Sequence, residues 1–289
     1  MPEIQALIRL LDDDDKEVFA QVHERLKSYG PSIIPELEKA WAEESDILTH
    51  TRLEELIREI LLDDLFKHWE NWLTSDQPDL LTGAYLVARY HYPELQWDDI
   101  TKKINKIKQS IWLELNYNQT PLEQIHIFNQ IFYDYHNFRG IQVSADYQDY
   151  CINNVLELRK GNAIGLGVLY QVLANELNLP VYGVTLARHF ILSFCKRNIF
   201  DFSPMRNTES EVMFYINPIN RGSIFSRNEI NDYLQKAGVE PRRAYFAPAG
   251  VKSIVAELLS NLMEMYEQQH RYDRMNDMHK LLVKLQQTA

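Results

Sequence analysis

Two cysteines and nine histidines are the residues with which this 289-residue chain could run nucleophilic or metal chemistry. A thiol becomes a nucleophile when a neighbouring histidine takes its proton, so each cysteine is measured against the histidines within its reach. Cys195 lies six residues after His189 in the run HFILSFC. Six residues of strand span roughly 20 Å, which keeps that thiol away from His189. Cys151 precedes the break Arg159-Lys160-Gly161, where the chain can fold back, so reach alone leaves it open. Free cysteine is among the most buried residue types, and a packed, inert thiol is the ordinary reading of both. Ser193 and Ser203 lack the glycine-flanked elbow that activates a hydroxyl. His23, His50, His68, His91, His126 and His136 show no His-Glu-x-x-His spacing, and His270 and His279 are nine residues apart. No metal and no cofactor are therefore expected, and no glycine loop of the phosphate-cradling or dinucleotide type occurs.

These residues must be positioned by the elements around them. Over the first 115 or so residues, apolar positions recur at three and four, as in Ile4, Leu7, Ile8 and Leu11, then Val18, Val22 and Leu26, then Leu53, Leu56, Ile57 and Ile60. That periodicity predicts helix after helix. The stretch from Leu7 to Trp41 has the layout of a helical hairpin: an acidic turn at Asp12–Asp15 can cap the second helix and complement its positive end, and Gly30-Pro31 follows it. This layout resembles a HEAT-type repeat. Weaker recurrences around Thr51–Trp72 and Leu80–Trp97 predict two or three stacked pairs.

From Thr120-Pro121, which mark a helix start, the pattern changes. The stripe Ile125, Phe128, Ile131 and Phe132 predicts one helix running up to Arg139-Gly140. A loop carrying Ser144, Asp146 and Asp149 leads into a short helix stopped by Gly161; Ala163–Leu177 is then the most apolar helix of the chain and is expected to be central and buried. Beyond Asn178 the runs PVYGVTL, HFILSFC and EVMFYINP read as strands. Helix returns at Arg227–Lys236 and in a C-terminal pair, Ile254–Gln268 and Tyr272–Leu285. The expected fold class is α+β. Residues 1–115 form a helical, HEAT-like domain, and residues 116–248 a core in which a central helix packs on an antiparallel sheet. Residues 249–289 form a tetratricopeptide-like hairpin that must pack on the body, because one hairpin cannot bury its own apolar face.

The segments RKGNAIGLGVLYQVLANELNLPVYGV, ARHFIL and FYINPINRG follow one another as central helix, strand headed by His189 and strand ended by Asn217. On them, residues 120–247 resemble the transglutaminase-like core, in particular its SirB-type bacterial branch, whose C-terminal helical extension matches residues 250–285. In that superfamily, and in papain-like proteases, a cysteine opens the central helix, whose positive end favours the thiolate, and His and Asp or Asn follow on strands. The resemblance puts the cysteine 17 positions before Pro180, at residue 163, which is alanine. A methyl has no lone pair with which to attack a carbonyl, so acyl transfer cannot start there. The SirB-type branch generally lacks this cysteine as well. What the resemblance implies is a degenerate triad, Ala163, His189 and Asn217, the last two hydrogen-bonded in a cleft at the amino end of the helix. An Asn can still orient an imidazole, though it does not stabilise an imidazolium as Asp would.

That cleft could bind. Gly161, Ala163, Gly165 and Gly167 keep the helix start small, which either opens its free N–H groups to an anion, with Arg159, Lys160 and Arg188 assisting, or lets the helix pack closely on the sheet. In the turn Asn217–Gly222, Asn220 and Gly222 tolerate positive φ. The binding candidates are Arg159, Gly161, Arg188, Asn220 and Arg221.

Composition sets the remaining bounds. With 30 basic against 41 acidic residues the net charge is −11, and no basic patch stands out, so neither nucleic acid nor an anionic membrane is an expected partner. Apolar runs fall short of the roughly 18 residues of a membrane span, and the first residues carry no leader pattern. Two cysteines do not make a disulfide framework. A soluble, cytoplasmic protein is expected. The first 60 residues hold 15 acidic against 7 basic residues, an ordinary solvated face or a docking face for a basic partner. The function these readings favour is that of a non-catalytic transglutaminase-like protein, a pseudoenzyme that binds a protein or peptide in the cleft or along the helical repeats. Two alternatives stand beside it: a hydrolase or acyltransferase on a peptide or amide bond, using His189 and Asn217 with Cys151 or water, and a structural scaffold built from the acidic helices.

Overall fold

The structure is a computed structural model that describes residues 2–13, 15–116, 118–187, 189–196 and 208–287. Arg188 and Ser203, both singled out above, lie outside the described residues. The helices are α1 (Pro2–Arg9), α2 (Lys16–Ser28), α3 (Ile34–Glu43), α4 (Ile47–Leu73), α5 (Leu80–Arg89), α6 (Trp97–Trp112), α7 (Pro121–Asn129), α8 (Ile152–Leu158), α9 (Ala163–Glu176), α10 (Arg227–Lys236), α11 (Val251–Gln268) and α12 (Tyr272–Gln287). The strands are β1 (Arg139–Gly140), β2 (Lys160–Gly161), β3 (Val181–Leu186), β4 (His189–Cys195), β5 (Val212–Asn217) and β6 (Ser223–Phe225). The fold is α+β.

Contacts group these elements into two compact units, Met1–Asn71 with Arg89–Pro93, and Trp72–Ala88 with Glu94–Ala289. The second unit takes in α6, whose buried stripe of Ile100, Ile104, Ile107 and Ile111 comes with packing against α8 and α9. Within the first unit, one core joins Ile4, Leu11, Val22, Leu26, Ile33, Leu37, Leu53, Leu56 and Ile60. Its acidic turn does cap α2: the Asp15 carboxylate accepts from the Glu17 N–H at 2.8 Å.

In the second unit, β3, β4, β5 and β6 form an antiparallel sheet in sequence order. Alternation along β4 decides what each face receives. Phe190 points towards α9: a Cβ placed on Gly167 would lie 2.6 Å from its ring, and one on Gly183 2.5 Å. Those two glycines let helix and sheet close around the ring. On the opposite face Val184, Leu186, Ile191 and Tyr215 pack with Ile230 and Leu234 of α10. The carboxyl end of α9 is tied to the start of β3, since Asn175 donates to the carbonyls of Leu179 and Val181, and the Gly183 N–H donates to Gln171 Oε1 at 2.8 Å. The amino end of α9 therefore lies towards the sheet end where β3 and β5 finish and β4 and β6 begin. The hairpin of α11 and α12 lays α11 on α9 and β3, covering the apolar face that it could not bury alone.

Two local features differ from the periodicity reading. The helix expected to run unbroken towards Arg139 ends as α7 at Asn129 and continues as a π-helical turn, Gln130–Tyr135, in which the His136 N–H reaches the Ile131 carbonyl at 2.9 Å. After it, β1 and β2 pair in parallel, Arg139 opposite Lys160 and Gly140 opposite Gly161.

Candidate functional site

Ala163 is the first residue of α9, directly after the cap residue Asn162, whose Oδ1 accepts from the Gly165 N–H at 2.9 Å. The Asn162 N–H donates to the Asp149 carbonyl at 3.2 Å, and a Cβ on Gly165 would collide with that same carbonyl. The small residues at this helix start thus admit close packing of the loop before α8, and one of the first-turn donors is already taken by Asn162.

His189 opens β4 opposite Leu186 and is exposed. Because Phe190 faces α9, the neighbouring His189 belongs to the other face, where its ring lies 5.4 Å from that of Tyr233 on α10 at 77°. Asn217 alternates onto the same side as Tyr215, and its Oδ1 accepts from the N–H groups of Ile219 (3.1 Å) and Asn220 (3.3 Å), so the side chain is spent on its own turn. Among the described residues no hydrogen bond joins His189 to Asn217. The expectation of a bonded pair is corrected: the strand phase turns the imidazole away from α9, and the amide caps a turn.

Both thiols are buried. Burial, helped by the Asp146 carboxylate, pushes the Cys151 thiol well above its ordinary range. Burial likewise pushes Cys195 up to about 12. Neither supplies a thiolate at neutral pH.

The turn Asn217–Gly222 is held from the side of α7 and the π-helical turn. Asn129 Nδ2 donates to the Gly222 carbonyl at 2.8 Å, and its Oδ1 accepts from the Tyr170 hydroxyl at 2.9 Å. The buried Tyr133 hydroxyl donates to the Pro218 carbonyl at 2.7 Å, and Asp134 pairs with Arg221. Desolvation raises the pKa of both phenols, so they stay protonated donors. Gly222 has φ +66°, and a Cβ there would collide with the Asn129 amide, so this corner requires glycine. Asn129, Tyr133, Asp134, Arg221 and Gly222, with Leu122, His126, Gln130, Ser223 and Ile224, enclose a cleft of about 720 Å³.

Of the binding candidates, Arg221 lines this cleft, and Asn220 braces the turn by donating to Ser223 Oγ at 3.1 Å. Gly161 is a buried strand residue whose carbonyl accepts from the Ile141 N–H. Arg159 stands apart in a left-handed conformation (φ 55°), its guanidinium over the Phe138 ring at 4.8 Å, and burial lowers its pKa. Sequence reasoning missed Asn129, Tyr133 and Asp134. The available signal was Asn129 and Tyr133, four apart and therefore neighbours on one side of the segment that carries the stripe Ile125, Phe128, Ile131 and Phe132. Among the described residues no group of three His, Cys, Asp or Glu could hold a metal ion, and no helix is long and apolar enough to cross a membrane.

Comparison with known proteins agrees with this architecture. The sequence profile of the transglutaminase-like superfamily matches residues 98–260. A UPF0162 protein of Xylella fastidiosa is 24% identical over 222 residues, 71% of this chain and 72% of the relative. A UPF0162 protein of Vibrio cholerae is 26% identical over 160 residues, 55% of this chain and 54% of the relative. Human F-box only protein 21 is 25% identical over 225 residues, 66% of this chain but 33% of that protein. No solved structure matches. The chain belongs to the transglutaminase-like superfamily.

Proposed function

We propose that this member of the transglutaminase-like superfamily is a non-catalytic binding protein that takes a peptide or protein segment in the cleft beside the turn Asn217–Gly222. The observation that carries the reading is the start of α9: Ala163 offers a methyl where the superfamily's chemistry needs a thiol, and His189 faces Tyr233 on the other side of the sheet. A hydrolase using Cys151 instead would need a thiolate, and that thiol is buried and protonated. The cleft has the volume of a ligand site and polar groups fixed by their neighbours, which supports binding without chemistry.

The test has two arms. The native protein is exposed to iodoacetamide and to peptide amides; no labelling of Cys151 or Cys195 and no turnover are expected, and turnover abolished by His189→Ala would overturn the reading. Random-peptide display on the protein should then yield binders lost on Ser223→Trp, which fills the cleft from an exposed position. A selection in which no binder is lost on that substitution would overturn the reading.

A further inference from the structure

On the other side of the π-helical turn, a second groove of about 680 Å³ runs between that turn and the end of α6, sharing Gln130 and Asp134 with the cleft. Ile127 and Ile131 contribute apolar wall, and Leu113 and Tyr135 line it from either side. Leu113 is 66% and Tyr135 71% exposed, and Trp112, adjacent in sequence to Leu113, is 63% exposed. Large apolar side chains gathered at one surface mark an interaction site, whereas scattered ones need no explanation. π-helical turns are rare and occur mostly at functional sites, and this one carries four of the lining residues, Gln130, Ile131, Asp134 and Tyr135.

Charge says what would cover the groove. Glu114 and Asp134 both line it. The last turn of α6 holds no basic residue to offset the negative end of a 16-residue helix. Asp134 is paired with Arg221 towards the cleft, whereas no ion pair is formed by Glu114 among the described residues. An apolar groove with an acidic rim at a helix carboxyl end complements an apolar side chain flanked by a cation.

We infer that this groove docks a segment of a partner protein that presents an apolar anchor next to Lys or Arg. The inference stands apart from the cleft reading, because different side chains decide it. Random display on the intact protein should yield, beside any cleft binders, a class of peptides that carry an apolar residue beside Lys or Arg. They should bind Leu113→Asp at least tenfold more weakly and be unaffected by Ser223→Trp. Leu113 is exposed, so the substitution should leave the fold intact. Glu114→Lys gives an independent check: it should weaken the selected peptide several-fold and restore binding to the same peptide with its Lys changed to Glu. Absence of that class, an acidic consensus in it, its indifference to both substitutions, or a homodimer dissolved by Leu113→Asp would overturn the inference. Binders lost only on Ser223→Trp would overturn it while leaving the cleft reading standing.

Discussion

The sheet of the second unit carries a helix on each face, and the two faces are finished differently at the end where the family's chemistry would sit. Towards α9 the packing is tight up to the first turn of the helix: Phe190 fills the space left by Gly167 and Gly183, and Asn162 and the Asp149 carbonyl close the helix start. Towards α10 the core of Leu186, Ile191, Tyr215, Ile230 and Leu234 gives way to an exposed His189 lying against Tyr233. A base must share a face with the nucleophile it serves. Because side chains alternate with period two, one position along β4 separates an imidazole aimed at α9 from a phenyl ring aimed there. Residue types can thus keep the family's chain order while the imidazole faces away from the helix start.

The largest effect should come from emptying the dry face. Phe190→Ala is expected to lose about 3–5 kcal/mol in denaturant unfolding, the range for an aromatic removed from a packed core. A loss below about 1 kcal/mol would mean that the ring does not bridge α9 and the sheet. Next comes Gly167→Ala, whose methyl would press on that ring at 2.6 Å. Overpacking of this kind costs about 1–3 kcal/mol.

A half-buried histidine gives the next effect, through pH. Burial, with Arg159 and Lys106 adding like charge, pushes His136 down to about 4. Its folded pKa lies below the unfolded value of about 6.5, so the unfolded chain binds the extra proton first. The stability tied to neutral His136 is complete above that unfolded value and is lost as pH falls towards the folded one. His136→Gln should flatten the unfolding free energy across this window; an unchanged slope would place the imidazole in solvent. The smallest effect belongs to His189→Ala, expected to stay within about 0.5 kcal/mol, as for an exposed side chain outside a network.

Much of this could be read from residue types. Thr120-Pro121 with Glu123 forms the capping box at the start of α7, and the three apolar runs after Asn178 became β3, β4 and β5. The α+β class followed from one apolar helix and those runs. The π-helical turn was hidden because Ile131 and Phe132 satisfy helical periodicity whether or not a residue is inserted. The face of His189 was hidden for a related reason. β4 is buried on both sides from Phe190 to Cys195, so its sequence shows no polar alternation from which to read the phase. Asn129 and Tyr133 became legible as a site only when the turn Asn217–Gly222, about 90 residues on, was brought against them.

The central claim, that the imidazole of His189 does not serve the start of α9, has a direct measurement. A thiol is introduced by Ala163→Cys, and its alkylation rate by iodoacetamide is followed with pH, with and without His189→Ala. Equal midpoints in the two proteins are expected, because any lowering by the helix end is common to both. A midpoint lower by about one unit or more when His189 is present would contradict the claim, since that shift means about 1.4 kcal/mol of interaction between imidazole and thiolate.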